Sequence, residues 1–180
     1  CPYCKNEYVF WSAAVDKENG KVKKEFNCPS CNAAITKREC ERAIKKFFDG
    51  AIQKEVTQAK QVPVLINYSV GKKRFKKKPD KDDLSLIEKI ENSEIPYWFP
   101  TNRMPKGYNT EQPKRSHGLT HVHHFYTKRN LWVLALLYDK IMKIVDKNIS
   151  FYLLWSFNSI QNYVNKKQSY GGGGGGVTGT

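Results

Sequence analysis

The sequence predicts an α+β chain: a small cysteine-held β module at the front, followed by a mainly helical region. Three observations carry that expectation. Cys1-Pro-Tyr-Cys4 is answered by Cys28-Pro-Ser-Cys31. Residues 128–164 hold two apolar stripes at three–four spacing, the mark of two packed helices. Between these ends, short stretches rich in β-branched and aromatic residues point to strands. With 180 residues there is room for one ordinary core and a small module.

Each Cys-x-x-Cys lets one tight turn offer two thiolates to a single ion. Two such pairs give four sulfurs, the number a closed tetrahedral Zn²⁺ site needs. Cys1, Cys4, Cys28 and Cys31 are therefore the expected metal ligands, and residues 1–36 a zinc ribbon. A disulfide pair or a redox Cys-x-x-Cys would use the same residues. A lysine-rich chain without a secretory signal favours the metal, and two redox motifs in so small a span would be odd. A metal also supplies folding energy that a module of this size cannot draw from its core. Alternation predicts an outgoing strand at Tyr8–Ser12 and a return strand at Val22–Phe26, with Glu18-Asn19-Gly20 as the hairpin tip. The fifth cysteine, Cys40, falls inside the next expected helix and reads as a buried structural thiol rather than an alternative ligand.

That helix is expected from Lys37 toward Phe48, with Thr36 as N-cap and Glu39 completing a capping box. Asp49-Gly50 interrupts it, and residues 51–60 suit either helix or strand. Residues 61–70 read as a strand with Pro63 near its start. Gly71 opens the densest charge in the chain: Lys72, Lys73, Arg74, Lys76, Lys77 and Lys78, six cations in seven residues, around Phe75. It is expected to be a loop that contacts phosphate. Residues 37–100 thus form a mixed, basic region. Within it, Asp82–Glu91 is a short amphipathic helix and Tyr97-Trp98-Phe99-Pro100 an aromatic anchor.

Residues 101–126 are expected to be a loop region carrying all four histidines, His117, His121, His123 and His124. His121 and His123 would share one side of a strand, with a packing or ligand-side role rather than a metal. Residues 127–165 are an antiparallel helix pair: Thr127 caps a helix from Lys128 to about Val145, and Ile149–Val164 forms the second. Lys128 and Arg129 in the first turn oppose the helix dipole, a cost offset if an anion binds there. Residues 166–180 are a glycine-rich flexible tail that matches neither a dinucleotide fingerprint nor a P-loop. A start on an expected ligand and a glycine-rich end read as a piece of a longer protein.

A formal net charge of +14 favours a polyanionic partner, double-stranded DNA first. The expected contacts are Lys72, Lys73, Arg74, Lys76, Lys77, Lys78, Lys128 and Arg129. No apolar run is long enough to span a bilayer, so no membrane partner is expected, and the cytoplasm is the expected compartment.

Three blocks carry a resemblance: residues 118–135, the Thr101-Asn-Arg-Met-Pro-Lys-Gly107 unit, and Tyr170 with the glycine run and Thr178-Gly-Thr180. Together with the paired Cys-x-x-Cys, they resemble the middle of a large bacterial adenine-specific DNA methyltransferase of the N4/N6 amino-methylase superfamily. The resemblance implies a parent enzyme that uses S-adenosylmethionine on a Rossmann-like domain, of which this chain is an insert or part. It also implies that an Asp-Pro-Phe-x-Gly-x-Gly motif precedes this region and an Asp-Pro-Pro-Tyr motif follows it. No Asp-Pro-Pro or Asn-Pro-Pro occurs in this sequence. The resemblance therefore implies that this piece alone is inactive and contributes zinc-stabilised structure and DNA contacts beside the remainder of the enzyme. The alternative is a stand-alone zinc-ribbon module that binds nucleic acid or protein without chemistry.

Overall fold

The computed structural model describes residues 1–18 and 21–167. The Asn19-Gly20 part of the expected hairpin tip, and the expected tail from residue 168 onward, lie outside them. The described residues form two compact units, residues 1–79 with 115–118, and residues 80–114 with 119–167.

The first unit begins with α1 (Phe10–Ala14), a single helical turn where alternation predicted a strand. Phe10, Ala13 and Ala14 fall on one face of that turn and pack into a cluster with Phe26, Cys28 and Ile35. Burial of these three together overrides the period-two pattern. The hairpin β1 (Val15–Asp16) and β2 (Lys21–Val22) follows, pairing Val15 with Val22. A second hairpin, β3 (Glu25–Asn27) and β4 (Ala34–Thr36), pairs Phe26 with Ile35, and these inward side chains are almost wholly buried. Phe10 meets Phe26 edge-on at 5.6 Å, and Tyr8 meets it at 6.4 Å.

The helix expected from Lys37 to Phe48 is absent. The Thr36 amide and hydroxyl both donate to the Glu39 carboxylate, at 2.6 and 2.7 Å, and hold one turn only. Beyond it the chain extends into β5 (Ile44–Asp49), which pairs antiparallel with β6 (Lys54–Ala59) from Ile44↔Ala59 to Asp49↔Lys54. Asp49-Gly50 is therefore a hairpin turn: Asp49 Oδ1 accepts the Ala51 amide at 2.9 Å, and Gln53 takes φ 53°. The last hairpin of the unit joins β7 (Ile66–Val70) to β8 (Lys73–Lys77). The cationic run expected as a loop is thus a strand. Gly71, at φ 60° in the first central position of a two-residue turn, supplies the left-handed backbone that such hairpins require. Residues 115–118 also belong to this unit. Gly118, at φ 71°, sits so close to Thr57 of β6 that a Cβ there would collide with the Thr57 carbonyl.

The second unit is helical, so the expected dominance of helix holds only from residue 81 on. In α2 (Lys81–Asn92), Asp80 and Asp83 form a reciprocal capping box. α3 (Tyr108–His117) lies within the stretch expected to be a loop. Its low apolar content and the internal Pro113 hid it from the sequence pattern. A 3-10 turn at Val122–Phe125 replaces the expected histidine strand.

α4 (Lys128–Met142) starts at Thr127, whose hydroxyl accepts the Asn130 amide, and α5 (Lys147–Gln161) starts at Asp146, which accepts from Asn148 and Ile149. The two helices run antiparallel. Asn130 near the start of α4 donates to the Val164 carbonyl, while Ser150 early in α5 donates to that of Ile141. Leu134, Ile141 and Phe157 are the buried centre between them, flanked by Tyr126, Tyr138, Leu154 and Val164. Val145, expected on the stripe, lies beyond the end of α4 and is exposed.

Among the described residues every sheet is two-stranded and antiparallel, so the parallel sheet of a Rossmann-like domain is not among them. No helix of the described residues is long and apolar enough to cross a membrane.

Candidate metal centre and cationic ribbon

The two cysteine turns repeat one geometry. After Cys4, Lys5 adopts φ 60° and donates its amide to the Cys1 carbonyl at 3.1 Å. After Cys31, Asn32 adopts φ 58° and donates to the Cys28 carbonyl at 2.9 Å. A left-handed residue just past the second cysteine curls the chain back and turns both sulfurs of a pair to the same side. The β3–β4 hairpin fixes the second turn from both flanks, through Asn27↔Ala34 and a 2.9 Å bond from the Cys28 amide to the Ala33 carbonyl.

All four sulfurs lie within 4.8 Å of one another. Cys1 Sγ stands 3.8 Å from Cys31 Sγ, and Cys4 Sγ 3.8 Å from Cys28 Sγ. Four thiolates at Zn–S distances of about 2.3 Å in a tetrahedron are about 3.8 Å apart, so the donor set and its spacing are compatible with zinc. The electrostatics point the same way at Cys28. Amides of Cys31 and then Ser30 directed at its sulfur lower the thiol pKa to about 7. At Cys31 the Ala33 amide favours the thiolate, but loss of water and the neighbouring sulfurs together outweigh it and raise that thiol.

Cys40 stands apart from the four. Its sulfur donates to the Thr36 carbonyl at 3.3 Å and contacts the Tyr8 hydroxyl at 3.1 Å. Burial first, and this contact second, push the Tyr8 phenol well above its ordinary range. Cys40 packs against the cluster as a structural thiol does, but it is half-buried and lies in no helix, unlike the buried helical thiol expected from the sequence.

The expected nucleic-acid contacts divide between the units. Lys72 occupies the β7–β8 turn, Lys73, Arg74, Lys76 and Lys77 lie along β8, and Lys78 follows it. Strand geometry sends alternate cations to opposite faces and so lowers their mutual repulsion. Tyr68, opposite Phe75, stacks on it with ring centroids 5.4 Å apart. Tyr68 gains its place only through this pairing, which a like-charged run hides; the sequence signal for it is the Gly71-Lys72 break after a β-branched stretch.

In the second unit, Arg129 is exposed, while the Lys128 ammonium donates to the Glu91 carbonyl at 2.7 Å, near the end of α2. The histidines pack. His123 and His124 are buried, their rings 4.4 Å apart, and Phe99 lies 5.9 Å from His123. Thr120 donates its amide to His124 Nδ1 at 3.3 Å. Trp98 of the expected aromatic anchor reaches Tyr138 on α4 at 5.4 Å while remaining largely exposed.

No protein-family model, curated protein or solved structure matches the chain.

Proposed function

We propose that this chain is the zinc-stapled, DNA-contacting region of an S-adenosylmethionine-dependent DNA methyltransferase that modifies adenine N6. The observation that carries the DNA half is the β7–β8 ribbon, a hairpin exposed along most of its length with six cations at and around its second strand. Such a surface neutralises phosphates and releases their counterions, a sequence-independent source of affinity. Zinc fits the four-thiol cluster. Cys1, Cys4, Cys28 and Cys31 would fill its coordination, leaving no open position for a substrate, so its work is to fix the fold of the first unit.

The methyltransferase half rests on the resemblance of residues 101–107 and 118–135. A base methylase must take its target out of the duplex, and a basic surface beside the pocket retains the distorted DNA. The described residues contain neither a glycine-rich strand–turn–helix nor a Pro-Pro-aromatic tetrapeptide. No step of methyl transfer is therefore assigned to this chain. A second reading is a zinc-ribbon adaptor without chemistry, in which the closed four-thiol site would serve equally as a structural staple.

Methyl incorporation from labelled S-adenosylmethionine into duplex DNA by the full-length protein separates the two. Transfer to adenine N6 supports the first reading. DNA binding with no transfer supports the second.

A further inference from the structure

The register of the β7–β8 ribbon sorts its side chains into two unlike faces. Ile66, Tyr68, Val70, Lys73, Phe75 and Lys77 share one, with the Tyr68–Phe75 stack at its middle. The other carries only hydrogen-bonding side chains: Asn67 opposite Lys76, and Ser69 opposite Arg74. All four of these are exposed. Charge attraction to phosphate asks only for cations on any face; Asn67 and Ser69 add uncharged donors and acceptors, which can meet phosphate or base edges. A face of arginine, lysine, asparagine and serine is the set that matches base edges.

We propose that this polar face enters the major groove of duplex DNA and reads bases there, with Arg74 as its principal reader; the proposal rests on the DNA reading above. The major groove, about 12 Å wide, admits a two-stranded ribbon. Five-residue strands are about 17 Å long, which spans several base pairs. Side chains two apart on one strand are about 6.8 Å apart, twice the base-pair rise of about 3.4 Å. Arg74 and Lys76 therefore meet base pairs two steps apart. Arg74 offers a planar fork to guanine O6 and N7, Lys76 a point donor to a second guanine, and Asn67 a donor–acceptor pair to adenine N6 and N7. Ser69 accepts either partner. Lys72 at the tip and Lys78 beyond the far end bracket this face and are placed for phosphates. The Tyr68–Phe75 pair on the opposite face braces a hairpin that would be marginal by itself. The ribbon thus specifies a core of about three base pairs that includes guanine.

The test is selection from a randomised duplex library by the zinc-loaded full chain, followed by binding of the enriched and scrambled duplexes at several salt concentrations. The expected result is an enriched guanine-containing core bound at least about tenfold more tightly than its scrambled form. Arg74→Lys keeps the charge but removes the fork, so it should weaken discrimination at one position while leaving the salt slope unchanged. Lys72→Gln should weaken enriched and scrambled duplexes alike. Zinc content and circular dichroism of each variant establish that it is folded. Salt-dependent duplex binding without any enriched core, or discrimination undiminished at every position in folded Arg74→Lys, overturns the groove-reading proposal and leaves the DNA reading intact. Tighter binding of single strands than of any duplex also overturns it. Absence of all duplex binding by the wild-type chain overturns the DNA reading itself.

Discussion

Cys28 is 2% exposed, shares its cluster with Phe26 and Ile35, and has its sulfur 3.8 Å from that of Cys4. A serine there loses both a soft ligand and an apolar contact. Cys28→Ser is expected to reduce bound zinc from about one ion per chain to a small fraction of that, read by metal analysis of purified protein. A wild-type chain that carries intramolecular disulfides and no zinc would refute the assignment. Lys5 is the strained member of the site, since a side chain at φ 60° costs about 1–2 kcal/mol. Lys5→Gly is expected to slow zinc loss to a chelator. Gly118 shows the reverse case. Its φ of 71° and its closeness to the Thr57 carbonyl leave no room for a Cβ, so Gly118→Ala should destabilise the first unit by at least about 1 kcal/mol in denaturant unfolding. The four cysteines were legible because ligand chemistry fixes residue type and spacing together. Asn32 was half-legible, being a type that tolerates a left-handed backbone, whereas nothing in a lysine announces that conformation.

At the scale of elements, the β7–β8 ribbon carries the largest expected electrostatic effect. Replacing Lys72, Lys73, Lys76, Lys77 and Lys78 by glutamine should flatten the plot of log K against log salt by about 0.9 for each phosphate no longer neutralised, measured by fluorescence anisotropy on duplex DNA. An unchanged slope would mean that the strand merely faces solvent. The cations themselves were plain in the sequence, but their arrangement was not. A like-charged run reads as loop until its partner strand is known, and only the pairing of Ile66–Val70 with Lys73–Lys77 shows which side chains share a face. The helix misread at residues 37–48 has a similar cause. Thr36 and Glu39 form the local hydrogen bonds of a capping box, but these close a single turn. Ile44, Phe47 and Phe48 then find extended partners in β6, and the pairing outweighs the local signal. Where local and tertiary preferences coincide, as in α2 with its Asp80–Asp83 box and in α4 behind Thr127, the sequence reading and the structure agree.

The molecule as a whole has two cores with different means of support. Ala14, Phe26, Cys28 and Ile35 form a small cluster that includes one candidate ligand side chain and packs against Cys1 and Cys4. A core of that size buries too little apolar surface to offset the entropy of ordering its hairpins, and the proposed metal would make up the difference. Leu134, Ile141 and Phe157 form the other cluster, between helices closed by the Thr127 and Asp146 caps and by the Asn130–Val164 bond, with no metal ligand among them. Removal of zinc should therefore act on one unit. Hydrogen exchange followed by mass spectrometry, with and without a strong chelator, is expected to show amide protection disappearing across residues 1–36 and persisting across α4 and α5. Readdition of zinc should restore the protection of residues 1–36. Protection that disappears from both helices at the same chelator concentration would mean that the metal supports the helical core as well, and would contradict the division of labour drawn from the two clusters.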